Sequence, residues 1–142
     1  MKELYELGIV FRGFILVQNI FKSLPDGKKT DPDKDLRGAF ISAISSFAET
    51  AFTNVYLEYL ESGNILFIFK MAEVQSLDSN IPEPVILYGL TEKRKNVDKF
   101  VKKFLEKVSP IIQLFVHKYN KKDFTELNQF ESFRIDMKSF FV

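Results

Sequence analysis

The chain has 142 residues, 46% of them hydrophobic and 27% charged, with no cysteine and a formal net charge of +1. That length and composition describe one globular domain (1–142) with enough apolar residues to build a core without metal or cross-link. They exclude a disulfide scaffold, a thiolate nucleophile and thiolate zinc ligation. The near-neutral charge gives no reason to expect nucleic acid. No apolar run nears the ~20 residues of a membrane span, so the sequence reads as cytoplasmic.

The first element is an apolar hairpin, Tyr5–Phe11 and Phe14–Phe21, closed by Arg12-Gly13. A two-residue connection ending in glycine between apolar runs is a hairpin signal. Both runs are almost continuously apolar, as in central strands covered on both faces. Ser23–Lys34 carries Pro25-Asp26-Gly27 and Asp31-Pro32-Asp33 and reads as a loop, with Asp33 or Asp35 as cap of the following helix.

In that helix, Leu36–Phe52, the residues Leu36, Phe40, Ala43, Ile44, Phe47, Ala48, Ala51 and Phe52 form one apolar stripe. Arg37, Ile41, Ser45 and Glu49 fall on the outer face. Val55–Leu60 and Ile65–Phe69 are strands joined by the turn Ser62-Gly63-Asn64. Met71–Pro84 is expected to be a polar connection, mobile at its middle, before a fifth strand, Val85–Leu90.

A long amphipathic helix follows, capped by Asn96, with the stripe Val97, Phe100, Val101, Phe104, Leu105, Val108, Ile112, Phe115 and Tyr119. Pro110 inside it removes a backbone hydrogen bond and is expected to kink or break the helix. Asp123-Phe124-Thr125-Glu126 resembles a capping box opening a last helix that buries Phe124, Leu127 and Phe130, with Ile135 or Met137 beyond. The sixteen phenylalanines fall mostly at periodic, core-type positions.

Chemistry-bearing constellations are sparse. His117 is the sole histidine and reads as a structural residue between Phe115 and Tyr119. Glu58, Glu61 and Glu92 lie near turns without the spacing of a paired-carboxylate site. Gly8 and Gly13 are separated by strand and do not form a phosphate loop. The expectation is a non-enzyme without cofactor or metal. The strongest surface signal is basic: Lys93, Arg94 and Lys95, continued by Lys99, Lys102, Lys103 and Lys107. The last four share one helix face, which suits either plain solvation or contact with acidic headgroups or partners.

The order of elements, together with Val10-Phe11-Arg12-Gly13-Phe14-Ile15-Leu16 at the hairpin, resembles the longin domain. A longin opening often reads V-A-R-G-x-x-x-L; here phenylalanine replaces the small residue and the leucine comes one position earlier. The resemblance implies an α+β fold of order β-β-α-β-β-β-α-α, with a five-stranded antiparallel sheet and helices on both faces. It also implies a non-catalytic interaction module of the longin/roadblock kind. Such a module pairs with itself or a relative, regulates small GTPases or serves vesicle-trafficking assemblies, and works peripherally at membranes. On this sequence the pairing surface would comprise Arg37, Ile41 and Ser45 on the first helix, with Tyr56, Glu58 and Leu60 on the third strand. The basic contact would comprise Lys93, Arg94, Lys95, Lys99, Lys102 and Lys103. The alternative expectation is a small-ligand or lipid sensor with a pocket in a profilin-like fold.

Overall fold

The computed structural model describes residues 3–24, 41–43 and 58–141. Within them the chain is α+β. Five antiparallel strands, β1 (Leu4–Phe11), β2 (Phe14–Ile20), β3 (Tyr59–Ser62), β4 (Ile65–Val74) and β5 (Glu83–Glu92), form one open sheet in the order β2-β1-β5-β4-β3. Helix α1 (Val97–Tyr119), a 3₁₀ helix (Leu127–Phe130) and helix α2 (Glu131–Ser139) complete the chain.

Alternation along the strands sorts the apolar residues onto two faces. Leu7, Ile9 and Phe11 of β1, Leu66 and Ile68 of β4, and Val85 and Leu87 of β5 meet α1 and α2. Tyr5, Val10, Phe69, Ile86, Tyr88 and Leu90 pack on the other face around Ile41, one of the helical residues 41–43. The register with β5 shifts between Leu4 and Glu6, which is how Leu4 and Leu7, three apart, reach the same core. Every residue of β1 is buried.

The turns follow their glycines. Arg12 (φ 52°) and Gly13 (φ 82°) are both left-handed, the pattern of a type I′ turn whose twist suits a two-residue hairpin. Gly63 (φ 59°) supplies the same freedom between β3 and β4. Two other glycines admit aromatic rings. At Gly8 a Cβ would lie 2.5 Å from Cε1 of Tyr88, and at Gly89 a Cβ would collide with the ring of Phe104.

Several sequence expectations change. Phe14–Phe21 is no central strand: among the described residues β2 pairs only with β1, and as an edge strand it leaves Phe14 and Ile20 65% and 49% exposed. β4 continues to Val74 and β5 begins at Glu83, so the polar connection shrinks to residues 75–82. Lys70 and Glu73 disguised the end of a strand whose Met71, Ala72 and Val74 keep the two-residue alternation. Pro110 does not divide the long helix, which runs through Val97–Tyr119 as one element. It sits on the exposed side of a helix anchored before and after it by Phe104, Val108, Ile111, Ile112 and Phe115, all buried.

The last helix begins later than the capping pattern suggests. Asp123 does cap locally, its Oδ1 accepting from Thr125 N at 3.0 Å and Thr125 Oγ1 at 2.6 Å. The chain then passes through the 3₁₀ helix before α2. Phe124, Phe130, Phe133 and Met137 are buried, whereas Leu127 and Ile135 are exposed. Phe115 is the hub of this region, with ring centroids 5.2 Å from Phe133 and 5.8 Å from Phe130. Such pairs add about 0.5–1.5 kcal/mol each beyond area burial.

Gly8→Ala tests the close approach at the sheet centre. Tyr88 is fully buried, and its hydroxyl donates to Glu6 Oε2 at 2.5 Å, so the ring has no free path aside. The substitution is expected to cost about 1–3 kcal/mol in urea unfolding, as overpacking does; an unchanged midpoint would show that the ring yields.

Candidate functional site

The residues singled out in sequence meet different fates. Arg37, Ser45 and Tyr56 lie outside the described residues, as does all of Leu36–Phe52 except 41–43. Ile41 does not face outward. It is completely buried against the second core, while Ala43, expected on the apolar stripe, is exposed. The sheet face beneath presents Val10, Ile86 and Tyr88, and a branched four-carbon side chain covers that surface better than a methyl group. Ile41 is therefore withdrawn from the pairing surface.

Glu58 and Leu60 are at the sheet edge formed by β3. Glu58 is exposed, and its carbonyl accepts from Phe69 N at 2.8 Å. Leu60 is half-buried against the second core. The basic group divides. Lys93 pairs with Glu61 at 2.9 Å, and Arg94 pairs with Glu3, so these two are partly neutralised. Lys95, Lys99, Lys102 and Lys103 are exposed, the last three on α1. Lys107, on the same helix, lies over the Phe141 ring at 4.9 Å.

One residue from each of the two predicted groups comes to a cleft of about 980 Å³ between α1 and the β3–β4 side of the sheet. Glu58 lines its strand wall and Lys102 its helix wall, with Lys70 on β4 and Leu105, Glu106 and Gln113 on α1. Tyr59 spans the two walls, its hydroxyl donating to Asp98 Oδ1 at 3.0 Å. That bond, followed by desolvation, raises the Tyr59 hydroxyl pKa above its ordinary value. Both acidic (Glu58, Asp98, Glu106) and basic (Lys70, Lys102) side chains line this cleft.

A second locus was missed. At the opposite end of β1, Arg12 reaches from the hairpin turn to the 75–82 connection and β5. Its Nε and Nη2 donate to the two oxygens of Glu83 at 2.6 and 2.8 Å, its Nη1 and Nη2 to Asp78 at 3.2 Å, and its Nη2 to Ser76 Oγ at 3.2 Å. The same connection is tied to the end of α1: Gln75 N donates to Asn120 Oδ1 at 2.9 Å, Lys121 N to Gln75 O at 2.6 Å and Leu77 N to Lys122 O at 2.8 Å. A segment expected to be mobile is thus hydrogen-bonded to both neighbours. Arg12-Gly13 was legible as a turn, but nothing in the sequence pairs Arg12 with carboxylates some 70 residues away.

Hydrogen bonding to Arg12 lowers the pKa of both Asp78 and Glu83 below their ordinary values, and they hold the guanidinium firmly protonated. Carboxylates depressed in the folded state contribute stability above their unfolded pKa, 3.8 for Asp78 and 4.5 for Glu83, and lose it as pH falls through the folded values. Arg12→Met removes the shared cation while leaving a non-glycine residue at the same backbone angles. Its stability deficit relative to the parent should be present near neutral pH and shrink from about pH 5 downward. Chemical denaturation at a series of pH values reads this out; a deficit independent of pH would mean the clasp acts by packing alone.

His117 is exposed on α1. Among the described residues no three His, Cys, Asp or Glu side chains are grouped as a metal site, and no helix is long and apolar enough to cross a membrane.

Comparison with known proteins gives no further lead. No family model matches this chain, and no curated protein matches it in sequence. Fold and surface alone carry the functional reading.

Proposed function

We propose that this chain is a non-catalytic, longin-like interaction module. It pairs with itself or with another longin/roadblock-type protein and takes part in small-GTPase regulation or trafficking-type assembly at membranes. The observation that carries this reading is the open antiparallel sheet with β3 at one edge, where Glu58 lines the cleft against α1 and Leu60 packs on the opposite face of the sheet. Among the described residues β3 pairs on one side only, with β4. An edge strand with unpaired backbone groups is a template for strand addition, and four residues is short enough to limit indiscriminate pairing.

Two further observations support it. C-terminal helices cover one face of the sheet, and helical residues 41–43 place Ile41 on the other, the layering that a longin-like domain implies. Lys95, Lys99, Lys102 and Lys103 are exposed around the start of α1, and near an anionic surface each basic residue contributes about 1 kcal/mol. That supports peripheral contact with acidic lipid on the side of the molecule where β3 ends.

Light scattering after gel filtration, across a concentration series, tests the pairing. The expected result is association of the chain alone or with a longin/roadblock-type protein, weakened at least about tenfold by Glu58→Lys combined with Leu60→Asp. Glu58→Lys alone should leave the unfolding midpoint unchanged, since its side chain is exposed. Association unaffected by both changes would remove the β3 edge as the interface, and a monomer in every mixture would remove the module reading itself.

A further inference from the structure

At the end of the sheet held by Arg12 lies a second cleft, of about 480 Å³, that shares no residue with the cleft beside β3. Its walls are apolar: Phe11, Phe14, Ile15 and Leu16 from the hairpin, Phe124 and Leu127 from the chain after α1. Two of them are left largely in water, Phe14 at 65% and Leu127 at 62% exposure. Behind them the walls are fixed. The Phe11 and Phe124 rings sit 4.7 Å apart, and the Arg12 guanidinium lies 4.9 Å over the Phe11 ring.

The polar groups on the rim are mostly engaged within the chain. All three guanidinium nitrogens of Arg12 are spent on Glu83, Asp78 and Ser76, and both oxygens of Asp78 accept from Arg12. Thr125 gives both its N–H and its hydroxyl to Asp123. Arg12 and Asp78, the two charged residues lining the cleft, cancel one another.

We infer that this cleft binds a neutral, apolar small molecule: a hydrocarbon chain or flat ring bearing at most an uncharged polar group. An apolar ligand gains by leaving water against preformed aliphatic and aromatic walls. A charged head would lose its hydration and find no unengaged counter-charge on the rim. The volume lies within the roughly 300–1,000 Å³ of small-molecule sites. The inference does not depend on pairing through β3.

The test is an NMR titration of the full chain with decan-1-ol, decanoate and decylammonium, following the methyl groups of Ile15, Leu16 and Leu127. Decanol is expected to give saturable shifts centred on those residues, with both charged probes at least about tenfold weaker. Leu127→Glu should weaken decanol binding about tenfold or more, whereas Ile135→Glu, at a similarly exposed apolar position on α2, should leave it unchanged. Phe14→Glu is the second cleft variant, used if Leu127→Glu does not fold. Shifts that fail to saturate, or a cleft variant that binds like the parent, overturn the site. Decanoate or decylammonium binding as tightly as decanol overturns the ligand class.

Discussion

Everything in this fold is arranged around a strand with no wet side. All eight residues of β1 are buried, so the sheet must be covered on both faces and β1 must be paired along both edges. β2 and β5 supply the pairing. On one face α1 and α2 bring the phenylalanine-rich core; on the other Ile41 joins Tyr5, Val10 and Tyr88. Gly8 and Gly89 then make the covering tight, because each leaves space into which an aromatic ring descends onto the backbone. The single carboxylate of β1 on the second face, Glu6, is 2% exposed and accepts from Gln18 Nε2 at 3.0 Å as well as from Tyr88. A buried carboxyl group of this kind is tolerated only where hydrogen-bond partners surround it.

The elements most plainly written in the sequence are those whose signal is local. Arg12-Gly13 and Gly63 announce turns because glycine is at ease with positive φ, and Asn96 caps α1 through a bond from Lys99 N at 3.2 Å. The stripe from Val101 to Tyr119 is buried as its spacing implies except for half-buried Leu105, with Ile111 added. What the sequence obscured depends on distant partners. β2 and β1 look alike in composition, yet only β1 lies between two strands, and position in the sheet is no property of a single segment. Pro110 breaks helices in isolation, but burial of five neighbouring side chains holds this one together as a single element.

The candidate sites show the same division. The basic run of α1 is local and was visible, although the sequence could not show that Lys93 and Arg94 are partnered by Glu61 and Glu3. Ile41 was misassigned because a helical wheel ranks faces by the number of apolar residues, whereas the sheet selects the side chain that best fills its own surface. The Arg12 clasp joins three segments brought together only by folding, and the apolar cleft beside it is a consequence of that junction. The molecule thus has two clefts of different character: one beside the β3 edge lined by several charged side chains, and one beneath a clasped hairpin whose walls are almost all apolar.

With β1 buried on both faces and β3 a short edge strand, stability is expected to fall off from β1 toward β3, and native-state hydrogen exchange measures this. The amides of Leu7, Ile9 and Val10 should exchange only through global unfolding, with their protection falling in parallel with denaturant-measured stability. Those of β3 should exchange through local opening at markedly lower free energy. Protection at Tyr59–Ser62 equal to that of β1, or fast exchange within β1, would contradict the account.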